Sequence, residues 1–389
     1  VIASSDADLF ADDALDDPYG HLRTLRDLGP VVWLEAHQVY AVFRYDDVRA
    51  VLADGRTFCS GQGVGLNEFI NRGGRGTTLM SDGEEHHRLR GVIGRPLTPS
   101  ALAALRPDAE SRAAALVERV VARRELDAVP DIAEVLPTTW VPDVLGWPDT
   151  GREHLLDWAG AAFDGLGPLN DRALAAGAGI LEMAAFAQQV AVSELPDGSM
   201  GAGILRAAER GEIEPAQCPM MFIDYLGPSL DTTIAALGNA VWLFATHPDQ
   251  WDLVRREPDR VKQAFNEVLR LESPISCFTR VTTRPTELAG LPIPEDARVL
   301  VSFASANRDE RRWDDPERFD ITRSSAGQVG FGFGDHACVG MGLARLEATA
   351  VLRALAARVG RFELTGPPVR KRNNLIRSFA SLPVEIVAG

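Results

Sequence analysis

The spacing of apolar positions changes period several times along the chain. Residues 21–28 carry Leu at helical spacing, 31–33 and 39–42 alternate like two strands around a polar turn, and 45–52 return to helical periodicity. Residues 60–83 are rich in Gly and Asn with poor periodicity. They predict a long loop of the kind retained for binding, ahead of a helix from about Glu84. An Ala/Leu/Arg pattern over 100–127 predicts helix, and further helices run to about Phe186, interrupted by a Gly/Pro loop at 165–170. Pro215 stands where it can open one long apolar helix reaching about Thr246. Another helix is expected over 258–271, then short strands within 281–303 separated by Pro292, Pro294 and Asp296. A Gly-rich loop at 327–334 precedes a last long helix over about 340–359, and 375–386 predicts a terminal hairpin. No internal repeat or low-complexity linker is visible. The pattern predicts a mainly α fold with small β-sheets.

Composition narrows the class. The chain has 389 residues, 46% hydrophobic and 24% charged, which describes a globular protein with ample material for a large core. Length alone suggests two or three domains, a soft prior that single large folds break. No run reaches the roughly 18–20 apolar residues of a membrane span, and the acidic start is unlike a basic-then-apolar signal, so a cytoplasmic protein is expected. A net charge of −15 disfavours nucleic acid and anionic membrane as partners. Cys59, Cys218, Cys277 and Cys338 are scattered without CxxC pairs or a nearby His set, which argues against a zinc site and a disulfide framework.

Chemistry concentrates in Phe331-Gly332-Phe333-Gly334-Asp335-His336-Ala337-Cys338-Val339-Gly340, a Gly-rich loop that delivers one Cys to a helix N-terminus. The helix dipole and free backbone N–H groups there stabilise a thiolate, as an electron-donating iron ligand requires. A lone Cys at a helix cap is usually a small buried hydrophobe. The complete FxxGxHxCxG pattern is more specific: here the sequence resembles the cytochrome P-450 superfamily of haem-thiolate monooxygenases, in the expected order over nearly the whole chain. The resemblance implies a single large helical domain, 1–389, around a buried haem b (iron protoporphyrin IX), with Cys338 as the axial iron ligand and Phe331 among the haem-binding residues.

Glu267 and Arg270 lie three apart on one helical face and can share a third partner. Alone, ExxR is most often a solvated helix pair. Followed by Pro316-Glu317-Arg318-Phe319, it resembles the family's buried Glu–Arg–Arg network, which assigns Glu267, Arg270 and Arg318 to support of the fold and haem loop. His86 and Arg90, one turn apart, can reach the same anion; exposed surface charge is the plainer alternative. By resemblance they join Arg280 and His336 in holding the haem propionates.

Asp231 and Thr232 place an acid and an alcohol side by side in an apolar stretch, and a buried carboxylate is costly unless used. The resemblance makes Asp231 a proton relay and has Thr232 hydrogen-bond dioxygen to promote O–O cleavage; the plainer alternative is a Thr that bonds its own helix. Pro228 and Ser229 depart from the family's usual small residue and Gly. Pro228 cannot donate to the carbonyl of Asp224, so a kink is expected just before the oxygen site.

Residues 58–66, 163–168 and 305–309 are most similar to the bacterial members that O-demethylate para-methoxybenzoates. In that group basic and hydroxyl side chains bind the benzoate carboxylate, whereas Gln62, Ile223 and Asp224 stand at the corresponding positions here. A carboxylate without an Arg, and near Asp224, would lose its pairing and much of its solvation. A small neutral aromatic, such as a methoxy- or alkyl-substituted phenol, is therefore expected, with Val64, Leu66, Phe278 and Phe379 as apolar walls. The implied reaction hydroxylates the methoxy carbon, giving a hemiacetal that releases formaldehyde and a phenol in the breakdown of aromatic compounds. The resemblance supplies O2 as oxidant and electrons from NAD(P)H through a ferredoxin reductase and an acidic ferredoxin, with Arg88 and Arg95 as docking residues. Two other readings stay open: a peroxide-driven haem peroxygenase, and a non-enzymatic haem sensor or carrier.

Overall fold

The structure is a computed structural model describing all residues, 1–389. It is mainly helical with small sheets. The helix Pro99–Arg123 is capped by the Thr98 hydroxyl and carries Pro99 in its first turn; it buries Leu102, Ala109, Ala113, Leu116, Val117 and Val120. It packs along Met341–Arg358, the long helix that follows the Cys338 loop. The expected helix over 100–127 stops early: Arg124 turns the chain with φ 65°, and Glu125–Asp127 becomes a strand beside Pro383–Ala388. A non-Gly residue at positive φ cannot continue a right-handed helix.

A six-stranded sheet runs in the order Ala3–Ser5, Val32–Leu34, Val39–Val42, Arg298–Ser302, Cys277–Thr282, Phe58–Cys59. The expected terminal hairpin does not form. Arg377–Ser381 pairs with Val369–Arg372, whereas Pro383–Ala388 lies between Val359–Leu364 and Glu125–Asp127 in another sheet. Leu382, fully buried, marks the switch. The long loop after Ser60 contains one short helix, Glu68–Gly73, started by the Asn67 side chain accepting from the Ile70 amide. Met200–Glu209 and Pro248–Arg256 are amphipathic helices that the periodicity reading left unassigned.

The single long helix expected after Pro215 is instead three pieces: a 3-10 turn at Pro215–Gln217, then Cys218–Leu226 and Asp231–Thr246. Pro228 offers no N–H to the Asp224 carbonyl, and the Ser229 hydroxyl donates to the Tyr225 carbonyl at 2.5 Å. The expected kink is thus a full interruption over 227–230. Asp231–Thr246 is buried on nearly every face and forms the axis of the main core. No helix is long and apolar enough to cross a membrane.

Glu267 and Arg270 are fully buried and form a two-pronged ion pair, Nε–Oε2 and Nη2–Oε1 both 2.8 Å. The third member is Arg323, whose Nε lies 3.2 Å from Glu267 Oε1, and the Ser325 hydroxyl donates to Oε2 at 2.6 Å. Arg318, expected in that place, points to solvent with its guanidinium 3.9 Å from Asp320; only its carbonyl takes part, accepting from Arg270 at 3.3 Å. Residues 320–323 turn so that the Asp320 amide also donates to Glu267, which carries Arg323 inward. Arg270 further donates to the Asn307 carbonyl, and Asn307 Oδ1 accepts from the Val329 amide at 2.8 Å. The network thereby reaches the loop that presents Cys338.

Candidate active site

An internal cavity of about 220 Å³, the space in which the centre of a water molecule can move, lies between the Cys338 loop and the broken helix. Its walls are mostly apolar. The loop is shaped by Gly332 and Gly334 at φ 69° and 73°; a Cβ on Gly334 would strike the Leu52 carbonyl. The Cys338 amide donates to the Phe331 carbonyl at 2.8 Å. Cys338 is exposed only to this interior space, so burial still pushes its thiol pKa up, while the Gly340 amide, Arg90 and Arg345 favour the thiolate. Cys59, Cys218 and Cys277 are buried in packing and none lines the cavity; burial pushes the Cys277 thiol up to about 12.

Four nitrogen donors share the cavity with Cys338: His86, Arg90, Arg280 and His336. Arg90 Nη2 donates to the Ala337 carbonyl at 2.5 Å, and the rings of His86 and His336 lie 4.0 Å apart. His86 Nε2 is 3.1 Å from the Asp335 carbonyl, and His336 Nε2 is 3.8 Å from Asp82. Arg280 is buried, forms no ion pair and bonds only the carbonyl of Thr279, at 2.8 Å. Burial brings its pKa down to about 10. A buried guanidinium that closes no ion pair has room for an anion from outside the chain. One thiolate, two guanidiniums and two imidazoles around an apolar space fit haem b, whose iron takes a thiolate and whose two propionates take charged donors.

Asp231 and Thr232 divide between core and cavity. Thr232 lines the cavity and its hydroxyl donates to the Pro228 carbonyl at 2.7 Å. Asp231 is buried beside it, outside the cavity lining, with both carboxylate oxygens 3.4 Å from Lys371 Nζ. Burial raises its pKa and Lys371 pulls it back. Asp224, at the far end of the break, does line the cavity; its Oδ2 accepts from the Thr78 amide at 2.7 Å, and burial pushes its pKa up to about 6.

The cytochrome P-450 family profile matches residues 205–387. Over 384 residues the chain is 42% identical to cytochrome P-450 CYP199A2 of Rhodopseudomonas palustris, covering 97% of this chain and 93% of that protein. The chain belongs to the cytochrome P-450 family. This P-450 is also 33% identical over 376 residues to the erythromycin C-12 hydroxylase of Saccharopolyspora erythraea, covering 93% of each. Its fold matches the crystal structure of CalO2 with a TM-score of 0.86 at 31% identity, each chain covered completely. It is therefore an oxidoreductase with monooxygenase activity on an organic substrate.

Of the residues expected to wall the substrate pocket of this P-450, Phe278 lines the cavity and five others do not. Val64 and Leu66 pack into a separate core beside the six-stranded sheet, and Ile223 packs against the main core. Phe379 is buried under Trp242, with the Arg370 guanidinium 3.8 Å from its ring centre. Gln62 faces solvent. The walls are instead Leu79, Phe163, Ile275 and Phe303, together with Phe278. Arg88 and Arg95, expected as docking residues, are both exposed; Arg95 pairs with Glu212 at 2.7 Å, and Arg88 donates to the Glu212 carbonyl and Gln217. Glu347 was missed. It lines the cavity with Oε2 lacking any hydrogen bond, and burial raises its pKa well above the usual carboxylate range. An acid among Leu343, Leu346, Ala348 and Ala350 on a buried helix face was the available signal.

Proposed function

We propose that this P-450 O-demethylates a small neutral aromatic methyl ether, consuming O2, two electrons and two protons to give the phenol, formaldehyde and water. Electrons come from NAD(P)H through a ferredoxin reductase and a ferredoxin. The observation that carries the substrate class is the placement of charge. The cavity's two guanidiniums, Arg90 and Arg280, lie against the Cys338 loop and Asp82, whereas the charged group that lines the cavity beside the helix break is Asp224. An aromatic carboxylate there would meet a carboxylate, without a cation to offset its lost solvation.

Bound haem supplies the reduction of dioxygen and insertion of one oxygen atom into substrate. Cys338 would hold its iron, and Arg90, Arg280, His86 and His336 its propionates. Thr232 then lines the cavity in the first turn of its helix with its hydroxyl on the Pro228 carbonyl, from which it would turn to the cavity, and the carboxylate of Asp231, held by Lys371, lies one residue away to replenish protons. Leu79, Phe163 and Phe278 keep bulk water from the reacting carbon. Formaldehyde release from a methoxyphenol with ferredoxin, its reductase and NADH, compared with hydrogen peroxide alone, tests the reading. Product with peroxide alone would favour a peroxygenase, and no product with either would leave a haem sensor or carrier.

A further inference from the structure

Thr78 and Asp224 meet at the cavity with complementary gaps in their hydrogen bonding. The Thr78 amide is taken by Asp224 Oδ2 at 2.7 Å, and its carbonyl accepts from the Ser81 hydroxyl at 3.0 Å and lies 2.9 Å from His86 Nδ1. Its hydroxyl is buried, in a residue that lines the cavity; it lies toward the Asp224 carboxylate but closes no hydrogen bond of normal geometry. Asp224 in turn has no ion pair, although its side chain reaches the same space. Buried polar groups are normally satisfied, and each unsatisfied one weakens the empty protein. Both gaps lie on residues that line the cavity.

We propose that Thr78 and Asp224 form a hydroxyl-recognition pair that selects substrates bearing a phenolic hydroxyl. This rests on the reading of the cavity as the substrate site of an aromatic oxygenase. One phenol oxygen completes both residues: its proton goes to the Asp224 carboxylate and its lone pair accepts from the Thr78 hydroxyl. A bond to an ionised acceptor is stronger than a neutral one, and a phenol is a better donor than an aliphatic alcohol. A carboxylate ligand offers no proton and adds a like charge. An ammonium donates but cannot accept from Thr78. Burial pushes the pKa of Asp224 up to about 6 even though the Thr78 side chain and the Thr78 and Leu79 amides favour its charged form, so the carboxylate has donors but no cation.

The test uses the haem-loaded protein and the spin-state shift of its absorption spectrum, with 4-ethylphenol and ethylbenzene as probes that differ by the hydroxyl alone. At pH 8 wild type is expected to bind 4-ethylphenol at least tenfold more tightly than ethylbenzene. Thr78→Val should reduce that ratio about threefold or more, and Asp224→Leu should abolish it, with the carbon monoxide band of each variant confirming an intact haem site. An equal affinity for the two probes in wild type, or an undiminished ratio in Asp224→Leu, overturns the proposal. So does tighter binding of 4-ethyl-N,N-dimethylbenzylamine than of 4-ethylphenol, which would make the site an ammonium site. Neither probe is a methyl ether, so the result stands apart from demethylation. If phenols bind as expected and no methoxyphenol yields formaldehyde, the reaction fails and the recognition pair holds.

Discussion

Arg323 closes the ion-pair network on Glu267, with Nε 3.2 Å from Oε1, while Arg318 five residues earlier faces solvent. Glu267 is fully buried and uses both oxygens, so losing one donor leaves part of its charge uncompensated. Arg323→Ala should destabilise the fold by about 3 kcal/mol or more, whereas Arg318→Ala should stay within about 0.5 kcal/mol. Chemical denaturation of the two variants checks this. Equal losses would return Arg318 to the network.

Cys338 is the one thiol that reaches the cavity. Reduced protein under carbon monoxide should show the red-shifted Soret band of thiolate ligation, and Cys338→Ser should lose it. The same change at Cys59, Cys218 or Cys277 should leave the band in place. Persistence of the band in Cys338→Ser would assign the iron to another ligand.

Thr232→Ala removes the hydroxyl of the cavity-lining residue at the helix break, and it should uncouple NADH consumption from product with more hydrogen peroxide released. Asp231→Asn keeps the shape but not the proton exchange, and turnover should fall by about a hundredfold. Coupling that is unchanged in Thr232→Ala would move the role to water or to Ser229, whose hydroxyl donates to Tyr225.

A neutral methoxyphenol should bind about a hundredfold more tightly than the matching methoxybenzoate near pH 8, since an unpaired buried carboxylate costs several kcal/mol. Titrations of 4-methoxyphenol and 4-methoxybenzoate, read by the haem spin shift, decide it. Tighter benzoate binding would remove the neutral-substrate reading.

The same preference should depend on pH through Asp224, whose pKa rises from 3.8 to about 6 on burial. A raised acid favours the protonated folded state, so its contribution to stability is full below about pH 4 and is lost as pH rises through 6. Once protonated, Asp224 no longer repels a benzoate or accepts strongly from a phenol. The phenol-to-benzoate affinity ratio should therefore shrink between pH 7 and pH 5 in wild type and stay flat in Asp224→Asn. A ratio independent of pH in wild type would place the discrimination elsewhere.

Features set by local physics were legible in the chain itself. The Cys338 loop is readable because its glycines, its single Cys and the following helix lie within ten residues, and the positive φ of Gly334 admits little else. The break before Asp231 is readable because a missing N–H at Pro228 acts on a carbonyl four residues away. The identity of Arg323 as third partner was not, since Arg318 and Arg323 both follow an irregular turn and the path of 320–323 alone decides which points inward. The two final strands were misread as partners because pairing is non-local: Pro383–Ala388 finds Val359–Leu364 and Glu125–Asp127 after the chain has folded back. Likewise Val64 and Phe379 are apolar and near the expected place, yet they lie off the cavity while Leu79 and Phe163 line it. Sequence determined which residues are apolar, acidic or able to ligate iron; the direction of each side chain across packed elements, and so the meeting of Thr78 with Asp224, was decided by the tertiary structure, because direction depends on contacts between segments distant in the chain.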